Sequence, residues 1–105
     1  MHVVIFEVYP TVVGKPEYLQ IAASLRKELE QVDGCISIER FESLTNQGKI
    51  LSLSFWESEA AIAEWKANLK HHLAQSKGRD SLFQSYRIRV AEVQRDYDFS
   101  ASENA

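Results

Sequence analysis

Val3-Val4-Ile5-Phe6 is an unbroken apolar run, and the Val, Ile and Phe content of His2 to Tyr9 predicts a first strand that stops at Pro10. Gly14 and Pro16 mark a turn and a helix start. From Pro16 onward, Tyr18, Ile21, Ala22, Leu25, Leu29 and Val32 recur at spacings of three and four, while Gln20, Arg26, Lys27, Glu28 and Glu30 fall on the other side. This is the signature of an amphipathic helix, ending near Gly34. Cys35 to Ser43 and Lys49 to Trp56 read as two strands joined by Thr45-Asn46-Gln47-Gly48, a hairpin composition that makes them antiparallel. Ser58, flanked by Glu57 and Glu59, is placed to cap a second helix running to about Lys77 and stopping at Gly78. Ile88, Val90 and Val93 among charged residues predict a last strand over Ser85 to Tyr97, followed by a loose polar tail from Asp98 to Ala105.

The order β-α-β-β-α-β predicts an α+β, ferredoxin-like domain over residues 1–97, with an antiparallel four-stranded sheet and both helices on one face. The other face needs a cover. Were it open to water, the strands would alternate cleanly between apolar and polar, yet Val3 to Phe6, Ile50-Leu51 and Phe55-Trp56 are consecutive apolar residues. A second copy packed sheet to sheet supplies the cover, so the expectation is a homodimer, the dimeric α+β barrel.

Composition narrows the classes. With 105 residues, 45% of them hydrophobic, there is material for one core. A net charge of -3 and scattered arginines give no basic field for phosphates, so nucleic acid is not an expected partner. The lone Cys35 has no disulfide partner and reads as a small apolar residue entering a strand. The first apolar run is too short to span a bilayer and has no basic segment before it. The expectation is a cytoplasmic protein with no membrane partner.

The second helix carries the candidate chemistry. On an ideal wheel Trp65 centres a stripe of Ala61, Ile62, Leu69 and Leu73 that faces the sheet. His72 falls only about 20° from Trp65, Asn68 lies at the stripe's edge, and His71 projects outward. An aromatic ring, an amide and an imidazole thus border one space, suited to a flat molecule with polar edges. Ordinary core packing explains Trp65 equally well. No three-ligand cluster is visible, since His2 lies far along the chain from the neighbours His71 and His72, so no metal is expected. Neither a nucleophile elbow nor a glycine-rich phosphate loop is present, and no cofactor is expected.

Ser54-Phe55-Trp56-Glu57-Ser58-Glu59-Ala60-Ala61, then Trp65, His71, Gln75 and Gly78-Arg79, and finally Tyr86-Arg87-Ile88-Arg89-Val90-Ala91 with Arg95-Asp96-Tyr97, resemble the antibiotic biosynthesis monooxygenase domain family. The resemblance covers about Met1 to Tyr97 and implies a dimeric α+β barrel. It implies further that Trp65 lines a pocket, and that His71 takes the place of the histidine that follows this tryptophan in many members. The wheel turns His72 inward instead, and both histidines stand as candidate catalytic residues beside Trp65. Asn68, Tyr86, Arg87 and Phe55 are the candidate substrate-binding residues. Two departures matter. Glu7 stands where the haem-degrading branch has a first-strand asparagine, which argues against haem chemistry. Ala61 stands where the polyphenol oxygenases have an asparagine one turn before the tryptophan. Two readings remain open: a cofactor-independent monooxygenase acting on a small aromatic or quinol-type molecule, and a non-catalytic ligand-binding or interaction dimer of the same fold.

Overall fold

The structure is a computed structural model that describes residues 1–75 and 81–101. Its elements are β1 (His2–Pro10), α1 (Lys15–Leu29), β2 (Cys35–Glu42), β3 (Ile50–Trp56), α2 (Glu59–Gln75) and β4 (Phe83–Glu92). The strands form one sheet in the order β2-β3-β1-β4, with every neighbouring pair antiparallel. This is the ferredoxin-like α+β fold.

Strand parity decides which side chains meet the helices. Val4, Phe6 and Val8 of β1 are buried on the helix-facing side, and the registers Val4↔Ser54, Phe6↔Ser52 and Val8↔Ile50 put Ile50, Ser52, Ser54 and Trp56 beside them. From α1, Tyr18, Ala22, Leu25 and Leu29 complete the core; from α2, Ala61, Ile62, Trp65 and Leu69 do so. Both predicted stripes are the buried ones. The opposite face carries Val3, Ile5, Leu51, Leu53 and Phe55, all only partly buried.

The helix ends show local chemistry. The Ala61 N–H donates to Ser58 Oγ at 3.2 Å, so Ser58 caps α2 as its sequence context predicts. Helix α1 stops at Leu29, earlier than the Gly34 boundary. Gln31 and Val32 N–H groups bond the carbonyls of Glu28 and Leu29 three residues back, tightening the chain before Gly34 turns it at φ +100°. The predicted stop of α2 at Lys77 and Gly78 lies outside the described residues. Among the described residues no helix is long and apolar enough to cross a membrane.

The last strand differs from its expected span at both ends. It starts at Phe83, where Pro10↔Phe83 pairing follows a register shift after Tyr9↔Ser85. It ends at Glu92, five residues short of Tyr97. At that end His2 of β1 pairs with Glu92, and one further bond runs from the Val93 N–H to the Met1 carbonyl. Gly14 marks a second contact the pattern did not reveal. A Cβ there would lie 2.6 Å from Leu82 Cα, so only glycine lets the β1-α1 turn press against the segment that leads into β4.

Trp56 is fully buried, and its indole N–H donates to Ser54 Oγ at 2.8 Å on the same face of β3. A buried tryptophan nitrogen needs that acceptor. Ser54→Ala is expected to cost about 1 to 3 kcal/mol, the penalty of an orphaned buried donor, measured by denaturant melts against wild type.

Candidate functional site

Trp65 projects from α2 into the angle between Phe6 and Trp56, with ring centroids 6.3 Å from each. It is 2% exposed and forms one wall of a cavity of about 10 Å³, room for a single water, between the two helices and the sheet. Phe6, Tyr18, Leu25, Leu69, Arg40 and Ser52 are among the other walls. The lining is mostly apolar, and its cationic member is Arg40.

Arg40 reaches this space because β2 pairs Ile38 with Ser54 and Arg40 with Ser52, so both point toward the helices. Its Nη2 donates to the Ala22 carbonyl of α1 at 3.1 Å, while its Nε is buried without a hydrogen-bond partner. Burial pushes the Tyr18 phenol above its ordinary value, against the opposing pull of the adjacent Arg40 guanidinium. Tyr18 therefore stays protonated near neutrality and presents a hydroxyl donor. Tyr18, Arg40 and Ser52 were absent from the sequence-derived candidates. The available signal was parity: an arginine two residues from Ile38 in the same strand shares its inward face.

The sequence-derived candidates separate into three groups. Trp65 lines the cavity, and Asn68 is half-buried on α2 one turn beyond it. Tyr86 lies on the helix-facing side of β4, its ring edge-on to Phe6 and packed against Phe83, each at 5.6 Å; it is nevertheless 56% exposed. His72 is half-buried, and its Nε2 donates to Glu28 Oε1 of α1 at 3.0 Å, whereas His71 is exposed. Neither histidine lines the cavity. Phe55 and Arg87 occupy the opposite face of the sheet, paired with Val3 and Glu7 respectively.

On that opposite face Glu7 contacts Lys49 at 3.1 Å and Arg89 at 3.3 Å. The Lys49 hydrogen bond holds its carboxyl below the usual glutamate range against the opposing effect of desolvation, aided by the charges of Lys49, Arg89 and Arg87. Glu7 is thus occupied as an anion outside the cavity. Partial burial pushes the Cys35 thiol up, away from a reactive thiolate. Among the described residues no three His, Cys, Asp or Glu side chains gather as metal ligands do.

The fold is that of ferredoxin-like α+β domains, and the sequence comparison says which family of them. The profile of the antibiotic biosynthesis monooxygenase family matches residues 1–77. A jasmonate monooxygenase of Pyricularia oryzae is 46% identical over 93 residues, covering 89% of this chain and 43% of the relative. The uncharacterised protein YqjZ of Bacillus subtilis is 32% identical over 71 residues, 68% of this chain and 60% of its own length. The chain therefore spans less than two thirds of these curated relatives. Rv0793 of Mycobacterium tuberculosis superposes with a TM-score of 0.76 at 17% identity, covering 92% of this chain and 98% of that one. A conserved protein of Methanosarcina mazei gives 0.73 at 16% identity, with 86% and 89% covered. The chain belongs to the antibiotic biosynthesis monooxygenase family.

Because Trp65 is both a wall of the cavity and packed against two buried rings, Trp65→Phe leaves a void. A loss of about 1 to 3 kcal/mol in denaturant melts is expected.

Proposed function

We propose that this domain is a cofactor-independent monooxygenase for a small organic molecule with an apolar body and an ionisable oxygen, quinol-type aromatics being the first class to test. The observation that carries the reading is the Trp65-walled cavity with the half-buried Arg40 guanidinium in it, paired with no carboxylate among the described residues, in a chain 46% identical over 93 residues to a monooxygenase. A partly desolvated cation beside an apolar wall favours the ionised form of a bound substrate, since it stabilises an oxyanion better there than a fully hydrated charge does. An electron-rich anion can itself give an electron to dioxygen. For a quinol-type substrate with a reactive CH2, recombination at that carbon gives a peroxide, which loses water to leave a carbonyl. The sum is CH2 plus O2 to C=O plus H2O, balanced with no other reductant. The protein's part is position and desolvation.

In this proposal Trp65 stacks on the substrate, Arg40 and Tyr18 hold its oxygen, and Asn68 and Tyr86 border the opening. His72 is the stronger of the two histidine candidates for proton acceptor. It and its partner Glu28 each sit one helical turn from a cavity-lining leucine, Leu69 and Leu25, so a short water bridge suffices. The small volume of the cavity favours the second reading, a binding dimer without turnover. Oxygen-electrode measurements with a panel of quinols, anthrones and jasmonate, the compound named for the fungal relative, decide between them. Substrate-dependent oxygen uptake in metal-chelated, flavin-free buffer is expected. Saturable binding with no uptake for any compound would establish the second reading instead.

The proposal includes a homodimer through the open sheet face, where Val3, Ile5, Leu51, Leu53 and Phe55 surround the Glu7 ion pairs. Sedimentation velocity at micromolar concentration is expected to give a dimer mass. A monomer mass at these concentrations rejects it.

A further inference from the structure

We infer that Arg40 is the specificity-determining group of the cavity, a receptor for the carboxylate of an apolar monocarboxylic acid. The inference rests on the cavity being the ligand site, as proposed above, and not on oxygen chemistry taking place there. It narrows the ionisable oxygen of that reading to one functional group.

Arg40 is half-buried, with its Nε out of contact with water and without a partner. The desolvated part of an arginine is usually paired, because charge in a poorly solvated site is costly. Among the described residues, ion pairs join Lys15 to Glu42, Arg26 to Glu30, Lys49 and Arg89 to Glu7, and His72 to Glu28; none of these includes Arg40. Its guanidinium donates to the Ala22 carbonyl and also hydrogen-bonds the Tyr18 side chain, with nothing at the buried Nε. A carbonyl satisfies a donor but leaves the charge standing. A water fits the cavity beside it and can serve Nε in the empty protein, yet it too carries no compensating charge. A carboxylate supplies both, through charge-assisted hydrogen bonds about twice as strong as neutral ones and in the planar geometry the guanidinium matches.

The surroundings suit an acid with an apolar body. Tyr18, protonated at neutral pH, and Ser52 offer hydroxyl donors on the same cavity, and the rest of the wall is Phe6, Leu25 and Trp65. The cavity itself holds a single water, so room must come from the side chains that line it beneath α1, Tyr18 and Leu25 among them. Rotation of such side chains opens space at less cost than moving a strand. The competing account makes Arg40 a structural clasp that ties the Ala22 carbonyl to β2. That account predicts a stability loss on substitution and no ligand selectivity.

The test uses the whole chain with octanoate and its neutral isostere octanamide, read by quenching of tryptophan fluorescence and by calorimetry. Wild type is expected to bind octanoate about tenfold or more tighter than octanamide, the difference a charge-assisted contact supplies. Arg40→Gln is expected to abolish that preference, bringing octanoate and octanamide to equal affinity, and Arg40→Lys to retain part of it. Equal affinities in wild type, no saturable binding of either probe, or a preference that survives Arg40→Gln overturns the inference. Should Arg40→Gln fail to fold, a wild-type pH series replaces it: the preference must vanish as the carboxylate is protonated, and persistence below that range overturns the assignment. Octanoate selectivity without oxygen uptake in the quinol and jasmonate assays keeps Arg40 as an acid receptor and removes the oxygenase reading. Uptake with neutral quinols and no acid selectivity does the reverse.

Discussion

Because β1 is bonded along both edges, to β3 on one side and β4 on the other, its register is held by two ladders at once. A slip of one residue would exchange Phe6 for Glu7 on the helix-facing side, placing a carboxylate against Trp65 and an aromatic ring among Lys49 and Arg89. That cost fixes the pleat of the whole sheet. Once β1 is set, β3 follows through Val4↔Ser54 and β2 through Ile38↔Ser54, and the inward position of Arg40 is a consequence two strands away. The separation of the two charged systems has the same origin. Glu7 and its lysine and arginine lie on the opposite face and pair with one another; Arg40 is carried under the helices, paired with no carboxylate among the described residues.

The two helices are attached by different physics. Helix α2 is wedged by Trp65 between Phe6 and Trp56, and aromatic pairs in such tilted and edge-on arrangements add about 0.5 to 1.5 kcal/mol beyond the area they bury. Its N-terminus is capped by Ser58. Helix α1 has apolar contacts from Tyr18, Leu25 and Leu29 but is also tied by polar threads: Arg40 to the Ala22 carbonyl, and Glu28 to His72. An exposed histidine-carboxylate contact contributes little. The cavity therefore lies under the helix with the weaker polar attachments, where adjustment around a ligand costs least.

What the residue pattern revealed was period and type. The stripes of Tyr18, Ala22, Leu25 and Leu29 and of Ala61, Ile62, Trp65 and Leu69 have the spacing of helix faces, and they are the buried faces. What it did not reveal was partnership. A helical wheel states the azimuth of His72 but not which neighbour stands at that azimuth, and the neighbour is Glu28 of α1, not the cavity. Likewise a run of strand-forming residues from Ser85 to Tyr97 says nothing of which of them pair, and β4 ends at Glu92, opposite His2 at the start of β1. Phe55 sits in a motif with Trp56, yet the pleat sends the two to opposite faces. Arg40 was hidden by its class: a charged residue in a strand of mixed polarity reads as surface until its parity with Ile38 is counted.

The alanine at position 61 connects these observations. Ala61 is 6% exposed in the first turn of α2. A Cβ built on Gly34 would come within 2.8 Å of Ala61 Cβ, so the turn out of α1 passes directly over this position, with Gly34 itself at a φ of +100°. An amide side chain has no space at Ala61 unless that turn moves, and the turn sets the start of β2. The polar groups near the tryptophan come from other directions: Asn68 one turn further along α2, and Arg40, Ser52 and Tyr18 from the sheet and α1. A guanidinium differs from an amide in kind: it offers charge and a planar set of donors where an amide offers a neutral edge that both donates and accepts.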